Sequence, residues 1–302
     1  MGRVGGRMGG DWSLEDRTCL VTGATSGIGQ ETALGLAREG ARVLIVGRDP
    51  ARGEAARAEI AKRSGNDRIE LLLADLASLR EVAKLAAEVR KRSPALHVLV
   101  NNAGVVNQRR VLTVDGFEST FAVNHLAYFA LTLQLLDLLR AGAPARIVSV
   151  ASDAHRFGSI DWDDLQSERR YQGLPVVSGM RVYGTSKLMN ILFTRELARR
   201  LEGSGVTANS LHPGAVATRL GNDGSAVSRI ITPLLRPFML SPADGAKTSI
   251  HLATSPEVAG ISGGYFTKMR EARCSRPARD VDAARRLWQV SAELTGLGGS
   301  AA

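Results

Sequence analysis

Strand-like and helix-like segments alternate along most of this chain, and this alternation limits the fold more than any other feature. Seven short apolar runs predict strands: RTCLVTGA, ARVLIVGR, RIELLLADL, LHVLVNNAG, ARIVSVAS, GVTANSLHPG and GGYFT. The amphipathic runs between them predict helices. Near-continuous apolar strands joined by crossover helices form parallel sheets that are covered on both faces. We therefore predict an α/β chain with a doubly wound parallel sheet and helices on both faces.

The helical segments and the length of the chain predict a single domain. The run GFESTFAVNHLAYFALTLQLLDLLR predicts one long helix from Gly116, another helix is predicted from Tyr183, and the last predicted helix is PADGAKTSIHLAT. With 302 residues, of which 44% are hydrophobic, the chain can bury one large core. We assign residues 1–14 to a flexible leader and residues 15–302 to the domain.

A glycine-rich turn joins the first predicted strand to the first predicted helix. It places Gly23, Gly27 and Gly29 where a tight turn, an approaching pyrophosphate and close helix packing would each need a residue without a side chain. The helix start then offers free N–H groups to phosphates. The turn therefore predicts a dinucleotide-binding Rossmann fold, with cofactor contacts that also include Thr25, Ser26 and Ile28. A glycine-rich turn without a ligand is the alternative.

The end of the second predicted strand bears on the choice of dinucleotide. An acidic residue there holds the ribose 2′-OH of NAD, whereas an arginine favours the 2′-phosphate of NADP. Arg48 is the first residue after the apolar run and its Gly47, and Asp49 follows it. We predict NADP(H) rather than NAD(H), with Asp49 as the argument for the alternative.

The stretch YGTSK places Tyr183 and Lys187 four residues apart at the predicted start of a helix. Residues at this spacing share a helix face. The spacing fits an ordinary helix surface as well as a proton-transfer pair.

Several spaced motifs together resemble the short-chain dehydrogenase/reductase family. They are TGxxxGxG at 22–29, NNAG at 101–104, the Tyr183–Lys187 pair and HPG at 212–214, and the resemblance covers residues 16–270. The stretches VNHLAYF, SDAH, DLQSERRY and LFTRELARRL are similar to the retinol dehydrogenase-like branch of that family. The resemblance implies an NADP(H)-dependent oxidoreductase that interconverts a carbonyl and an alcohol by hydride transfer.

The resemblance also implies four catalytic residues. Tyr183 would exchange a proton with the substrate oxygen, and the Lys187 ammonium would lower the pKa of that tyrosine and hold the nicotinamide ribose. Ser152, which follows the strand ARIVSVA and precedes DAH, would orient the substrate oxygen; Ser149 is the rival but lies inside the strand run. The backbone of Asn124 would help to hold a water in the proton relay; a locally satisfied polar residue is the alternative.

Further cofactor contacts follow from the same resemblance. They lie after predicted strands, where open α/β sheets bind ligands. The residues are Asp75, Leu76, Asn102, Ala103, Gly104, Pro213, Gly214, Val216 and Thr218.

The apolar segment from 219 to 242 corresponds to the substrate lid of the family. Its composition favours a lipophilic substrate or peripheral contact with a membrane, and a packed helix pair is the alternative. The resemblance further implies a homodimer or homotetramer formed through the helices that start at Gly116 and Tyr183.

The remaining composition argues against several other functions. No run of 18 apolar residues and no secretory h-region is present, and the two cysteines, Cys19 and Cys274, suit a reducing cytoplasm. The formal charge of +9 is scattered along the chain, so we expect no nucleic-acid partner. The five histidines lie far apart, and no metal site is predicted.

A non-catalytic dinucleotide-binding protein that senses redox state or acts through a partner is the second functional hypothesis.

Overall fold

A computed structural model describes residues 12–216 and 239–298 of the protein. Within these residues the strands are β1 Thr18–Thr22, β2 Arg42–Gly47, β3 Ile69–Leu73, β4 Val98–Asn101, β5 Ala145–Val150, β6 Val206–His212, β7 Tyr265–Thr267 and β8 Arg270–Glu271. The α-helices are α1 Gly27–Arg38, α2 Pro50–Ser64, α3 Leu79–Arg92, α4 Ser119–Phe121, α5 Ala127–Gln134, α6 Leu136–Ala141, α7 Pro175–Arg200, α8 Pro242–Thr254 and α9 Val281–Thr295.

The strands form one sheet in the order β3-β2-β1-β4-β5-β6-β7-β8. All neighbouring strands are parallel except β7 and β8, which pair antiparallel at the edge. The order reverses between β1 and β4, and the carboxyl ends of these two strands form the crevice in which open α/β sheets bind ligands. The predicted doubly wound parallel sheet is confirmed.

Successive residues of each central strand face opposite sides of the sheet. Leu20 of β1 belongs to an apolar core with side chains of α3, α5, α7 and α9, whereas Val21 belongs to a second core with those of α1, α2 and α8. Both side chains are fully buried. Complete burial of an aliphatic side chain of this kind contributes roughly 1.5–3 kcal/mol. Helices therefore cover both faces, as the alternation of segments predicts.

The predicted long helix from Gly116 is wrong in its detail. It begins at Ser119 and contains a wider, π-helical turn over Ala122–Leu126 before the α-helical geometry resumes. A further break at Leu135 separates α5 from α6. Wide turns of this type often occur at functional sites, and this one contains Asn124.

The helix predicted from Tyr183 begins eight residues earlier, at Pro175. Proline is favoured in the first turn of a helix because its missing N–H group would have no partner there. Leu174, directly before it, is extended, as residues that precede proline usually are. The residues that the sequence analysis places before the helix therefore form its first two turns.

Two further differences lie at the ends of the domain. The edge strand β8 and the helix α9 are present although the sequence analysis predicts neither. Trp12 and Leu14, assigned to the leader, pack against the domain: Leu14 is 2% exposed, and Trp12 Nε1 donates to the carbonyl of Ala253 at 2.9 Å. The Arg146 guanidinium stacks on the Trp12 ring at 3.9 Å. The described part of the leader is thus held by apolar and cation–π contacts.

Candidate active site

A cleft of about 660 Å³ lies at the carboxyl ends of the strands, across the point where the strand order reverses. Its volume is within the range of small-molecule sites. Most of the predicted site residues line it: Gly23, Thr25, Ser26, Gly27, Ile28, Gly29, Arg48, Asp75, Leu76, Asn102, Ala103, Gly104, Ser152, Tyr183, Lys187, Pro213, Gly214 and Val216. Asn124 lies directly behind Gly104, and Thr218 is outside the described residues.

The glycine turn has a backbone that other residues could adopt only with strain. Gly23 and Gly27 have φ values of +65° and +60°. A Cβ atom on Gly29 would lie 2.4 Å from the carbonyl oxygen of Gly23, so the first turn of α1 can pack on the loop only without a side chain. The three glycines therefore have conformational and packing roles that match those expected of a phosphate-binding turn.

The amino end of α1 opens into this cleft without a side-chain cap. Ser26 occupies the cap position but makes no capping hydrogen bond, and the first turn carries no acidic residue. By contrast, α2 and α3 are each capped by a side chain, from Asp49 and Ser78. The exposed N–H groups and the positive end of the helix dipole suit an anionic ligand.

The end of β2 gives Arg48 and Asp49 different surroundings. Asp49 Oδ1 accepts a hydrogen bond from the backbone N–H of Arg52 at 2.8 Å, so its carboxylate caps α2. Arg48 and Arg52 both line the cleft, and neither guanidinium forms a hydrogen bond or salt bridge with another described residue. Arg52 is not among the predicted cofactor contacts. The sequence signal that could have identified it is its position three residues after Asp49, which caps the helix.

The NNAG segment ties β4 to β1 at the base of the cleft. Thr22 Oγ1 accepts hydrogen bonds from the backbone N–H groups of Asn102 at 2.9 Å and Ala103 at 3.1 Å. The Asn102 side chain donates to the carbonyl of Thr22 at 2.8 Å. Tyr128 Oη, which the sequence analysis did not single out, donates to the carbonyl of Ala103 at 2.8 Å. These bonds fix the wall of the cleft at the reversal point of the sheet.

The two candidate serines have different positions. Ser152 follows β5, lines the cleft and begins a short 3₁₀-helical turn, Asp153–Phe157. Ser149 lies inside β5, is fully buried, and its hydroxyl has no hydrogen-bond partner among the described residues. Only Ser152 of the two is in the cleft with Tyr183.

Tyr183 and Lys187 lie side by side in the cleft, and both are almost completely buried. Lys187 Nζ is 5.5 Å from the centroid of the Tyr183 ring and donates to the carbonyl of Val150 at 2.9 Å. Burial lowers the pKa of Lys187 to about 7. Burial raises the pKa of Tyr183 to about 12, with a hydrogen bond to the Ser152 hydroxyl acting in the opposite direction. The predicted lowering of the Tyr183 pKa by the ammonium is not found, because desolvation raises this pKa.

Asn124 is held against the same wall by its side chain. Its Oδ1 accepts from the N–H of Val105 at 2.8 Å, and its Nδ2 donates to the Val105 carbonyl at 3.0 Å and to Ser186 Oγ at 2.9 Å. A Cβ atom on Gly104 would lie 3.4 Å from Asn124 Oδ1 and 3.5 Å from Lys187 Nζ. Asn124 and Lys187 therefore both lie next to Gly104.

The residues before α7 connect the cleft entrance to the start of α4. Tyr171 Oη donates to Glu118 Oε1 at 3.0 Å, and Gln166 Oε1 accepts from the Glu118 N–H at 2.7 Å. The Glu118 carboxylate, which caps α4, is fully buried, and burial raises its pKa. These bonds tie the segment before α7 to the residues that lead to Asn124.

The short turn after Ser152 packs backbone to backbone on α7. A Cβ on Gly184 would lie 2.5 Å from the carbonyl oxygen of Ala154, and one on Gly158 would lie 2.4 Å from the carbonyl oxygen of Gly184. These glycines allow the Ser152 segment to approach the helix next to Tyr183.

Within residues 12–216 and 239–298, acidic, histidine and cysteine side chains form no cluster suited to a metal ion.

The doubly wound sheet and the glycine turn are those of a Rossmann fold, and comparison with known proteins gives the family. The family model for short chain dehydrogenases matches residues 17–163. Retinol dehydrogenase 14 of Homo sapiens is 44% identical over 309 aligned residues, covering 96% of this chain and 90% of that protein. Retinol dehydrogenase 12 of Mus musculus is 42% identical, covering 94% and 88%.

Solved structures agree with this assignment. An uncharacterized protein from Mycobacterium paratuberculosis has a TM-score of 0.74 and 34% identity, covering 94% of this chain and 95% of that one. The Pseudomonas aeruginosa RhlG/NADP active-site complex has a TM-score of 0.67 and 28% identity, covering 85% and 96%. The chain belongs to the short-chain dehydrogenase/reductase family, in its retinol dehydrogenase-like branch.

The protein is therefore an oxidoreductase that acts on CH–OH and C=O groups, and the non-catalytic hypothesis is not supported. In the parts of the chain that the structure describes, no helix combines the length and apolarity needed to cross a membrane.

Proposed function

We propose that this protein is an NADP(H)-dependent oxidoreductase that interconverts a lipophilic aldehyde or ketone with its alcohol. The observation that carries the proposal is one cleft that contains both the glycine turn and the group formed by Ser152, Tyr183 and Lys187. A dinucleotide bound to the glycine turn would bring its nicotinamide ring close to Ser152, Tyr183 and Lys187 only if the turn and these side chains line the same cavity.

The cofactor part of the proposal rests on the fit of the cradle. The glycine turn leaves no room for a Cβ at Gly29, α1 begins without a side-chain cap, and Arg48 and Arg52 face the cleft beside a carboxylate that caps a helix. Arginines of this kind suit a phosphate because their N–H groups form charge-assisted hydrogen bonds. The printed title of the RhlG complex also names NADP. When bound, the nicotinamide supplies hydride exchange with the carbonyl carbon.

The residues of the chain supply the proton chemistry. Burial raises the pKa of Tyr183 to about 12, so at neutral pH the phenol carries the proton that a carbonyl oxygen receives during reduction. The Ser152 hydroxyl orients that oxygen. Lys187 and Asn124 both lie next to Gly104, where Lys187 donates to the Val150 carbonyl and Asn124 bonds the Val105 peptide.

Apolar surface near the cleft supports a lipophilic substrate. Val105, Val106 and Pro213 line the cleft. At the start of α7, Leu174 is 75% exposed and Met180 is 45% exposed. The helix passes the cleft wall here, because a Cβ on Gly179 would lie 2.4 Å from the carbonyl oxygen of Asn107, a lining residue. The names of the retinol dehydrogenase relatives support the same substrate class.

The lid contributes less to the proposal, because residues 219–238 of it lie outside the described part of the chain. At its described flanks, the Leu240 N–H donates to the Ala215 carbonyl at 2.7 Å, next to Gly214 of the cleft. Peripheral membrane contact through the lid, the homodimer or homotetramer and the cytoplasmic location stay predictions.

The test is oxidation of NADPH with a panel of aldehydes and ketones of increasing chain length, compared with NADH. We expect turnover to increase with apolar length and NADPH to be preferred. Arg48→Ala and Arg52→Ala should each weaken NADPH binding about tenfold and leave NADH binding unchanged, since a charge-assisted hydrogen bond is lost.

Arg57→Ala is the matched control. Arg57 lies on the same helix as Arg52, pairs with Glu54 at 2.7 Å and does not line the cleft. Equal affinity for NADPH and NADH in the wild-type protein would refute the NADP assignment, and indifference to chain length would refute the lipophilic substrate.

A further inference from the structure

His155 is fully buried beside the cleft, and both of its ring nitrogens bind backbone groups. Nε2 accepts a hydrogen bond from the N–H of Ser275 at 3.1 Å, and Nδ1 lies 2.7 Å from the carbonyl oxygen of Ser152. A backbone N–H can only donate, so Nε2 carries no proton. The ring is therefore the neutral form protonated at Nδ1, which donates to Ser152.

This hydrogen bond is one of several that hold the peptide of Ser152. The backbone N–H of His155 donates to the same carbonyl oxygen at 3.1 Å, and the N–H of Asp153 donates to His212 Nδ1 at 3.1 Å. The Ser152 hydroxyl accepts from the N–H of Ala154 at 3.2 Å. That bond leaves the hydroxyl proton available toward the cleft.

The other side of the His155 ring packs against the last part of the sheet. The Tyr265 ring of β7 meets it edge-on, with 5.1 Å between centroids. Ser275 follows the edge strand β8 and precedes α9. A segment more than 100 residues away in sequence thus fixes the carbonyl of Ser152.

We propose that His155 is a positioning residue that acts through Ser152. Its ring connects the Ser152 peptide to the chain at Ser275 and so holds the Ser152 hydroxyl in register with Tyr183. The inference rests on the proposed function, because Ser152 acts there as the group that orients the substrate oxygen. A loss of position of about 1 Å at such a group can reduce the rate up to about 100-fold.

A double-mutant cycle between His155 and Ser152 tests this role, with NADPH and the best aldehyde of the panel. His155→Phe keeps an aromatic ring against Tyr265 but removes both hydrogen bonds. We expect kcat/KM to fall about 10- to 100-fold, with kcat accounting for most of the loss and NADPH affinity unchanged. In the Ser152→Ala background the same substitution should change kcat/KM less than twofold, because the group that it positions is absent.

Two further variants separate positioning from stability. His155→Asn retains a donor near the position of Nδ1 but lacks the acceptor for the Ser275 N–H, so it should recover only part of the activity. His97→Phe is the matched control: His97 Nδ1 also accepts a backbone N–H, that of Thr18 at 3.1 Å, but at the amino ends of the strands. It should lower the melting temperature and leave kcat/KM within twofold of wild type.

The outcomes distinguish this inference from the proposed function. If His155→Phe reduces kcat/KM by the same factor with and without the Ser152 hydroxyl, or if His155→Asn is as inactive as His155→Phe, the positioning role is wrong. If Ser152→Ala itself has wild-type kcat/KM, the role of Ser152 in the proposed function is wrong too.

Discussion

The two halves of the cleft are built in different ways. On one side, the glycine turn and Arg48 come from one continuous stretch of the chain between β1 and α2. On the other side, Ser152, Tyr183 and Asn124 come from three separate segments that meet only in the folded chain. The local half presents backbone groups and charge to a ligand, whereas the assembled half buries titratable side chains and changes their pKa values.

This difference indicates which property each half controls. We expect substitutions in the local half to change dinucleotide affinity and to leave the proton-transfer step intact. Substitutions in the assembled half should change turnover or the pH dependence of stability, and those outside Lys187, which is expected to hold the nicotinamide ribose, should leave dinucleotide affinity intact.

The largest effect is expected at Tyr183. Tyr183→Phe removes the proton donor and retains the buried ring, so kcat should fall on the order of 10³-fold. NADPH affinity, measured by fluorescence titration, should stay within twofold because the glycine turn is unchanged. Normal turnover by this variant would remove Tyr183 from its proposed role.

Lys187 should show its burial in the pH dependence of stability. In the unfolded chain its pKa is the ordinary 10.5, and in the folded protein it is about 7. Between these values the unfolded chain binds more protons, so the contribution of Lys187 to the free energy of unfolding rises with pH. Below pH 7 the lysine is charged in both states, and its full burial cost remains.

Lys187→Met removes this cost. The variant should be more stable than wild type by on the order of 3 kcal/mol at pH 6, and the difference should shrink steadily toward pH 9.5. The Val150 carbonyl keeps a second donor, Asn190 Nδ2 at 3.4 Å. Urea unfolding at several pH values measures the effect, with exposed Lys62→Met as control; a pH-independent difference between Lys187→Met and wild type would contradict the buried-lysine interpretation.

In the local half, Gly29→Ala should weaken dinucleotide binding. The new Cβ would lie 2.4 Å from the Gly23 carbonyl oxygen, so the turn must move and NADPH affinity should fall at least about tenfold. Gly35→Ala is the control on the same helix, because the atoms nearest its Cβ would belong to the Ile250 side chain, which does not line the cleft. If both variants bind NADPH like wild type, the turn does not hold the phosphates.

The smallest effect is expected at Asp49. Asp49→Ala removes the cap of α2, which should cost about 1 kcal/mol and lower the melting temperature by about 2–4 °C. NADH affinity should not change, because the carboxylate is used by the helix. A tenfold loss of NADH affinity would instead identify Asp49 as a ribose ligand and reverse the expected cofactor preference.

Much of the fold could be predicted because the apolar pattern of the strands is continuous. The exceptions depend on distant contacts. The π-helical turn contains Asn124, whose side chain bonds the Val105 peptide, and Tyr171 ties the segment before α7 to Glu118. Neither contact leaves a periodic signal in the sequence.

The sequence by itself determined the parallel sheet, the glycine turn and the Tyr183–Lys187 spacing, because strand burial, backbone freedom and helix periodicity are local properties. Tertiary structure alone decided that Ser152 rather than Ser149 lies in the cleft, that Asp49 caps a helix beside Arg48, and that His155 holds the Ser152 peptide. It also decided the direction of the pKa shifts of Tyr183 and Lys187. Desolvation depends on all the atoms that pack around a titratable group, and local sequence patterns do not indicate which atoms those are.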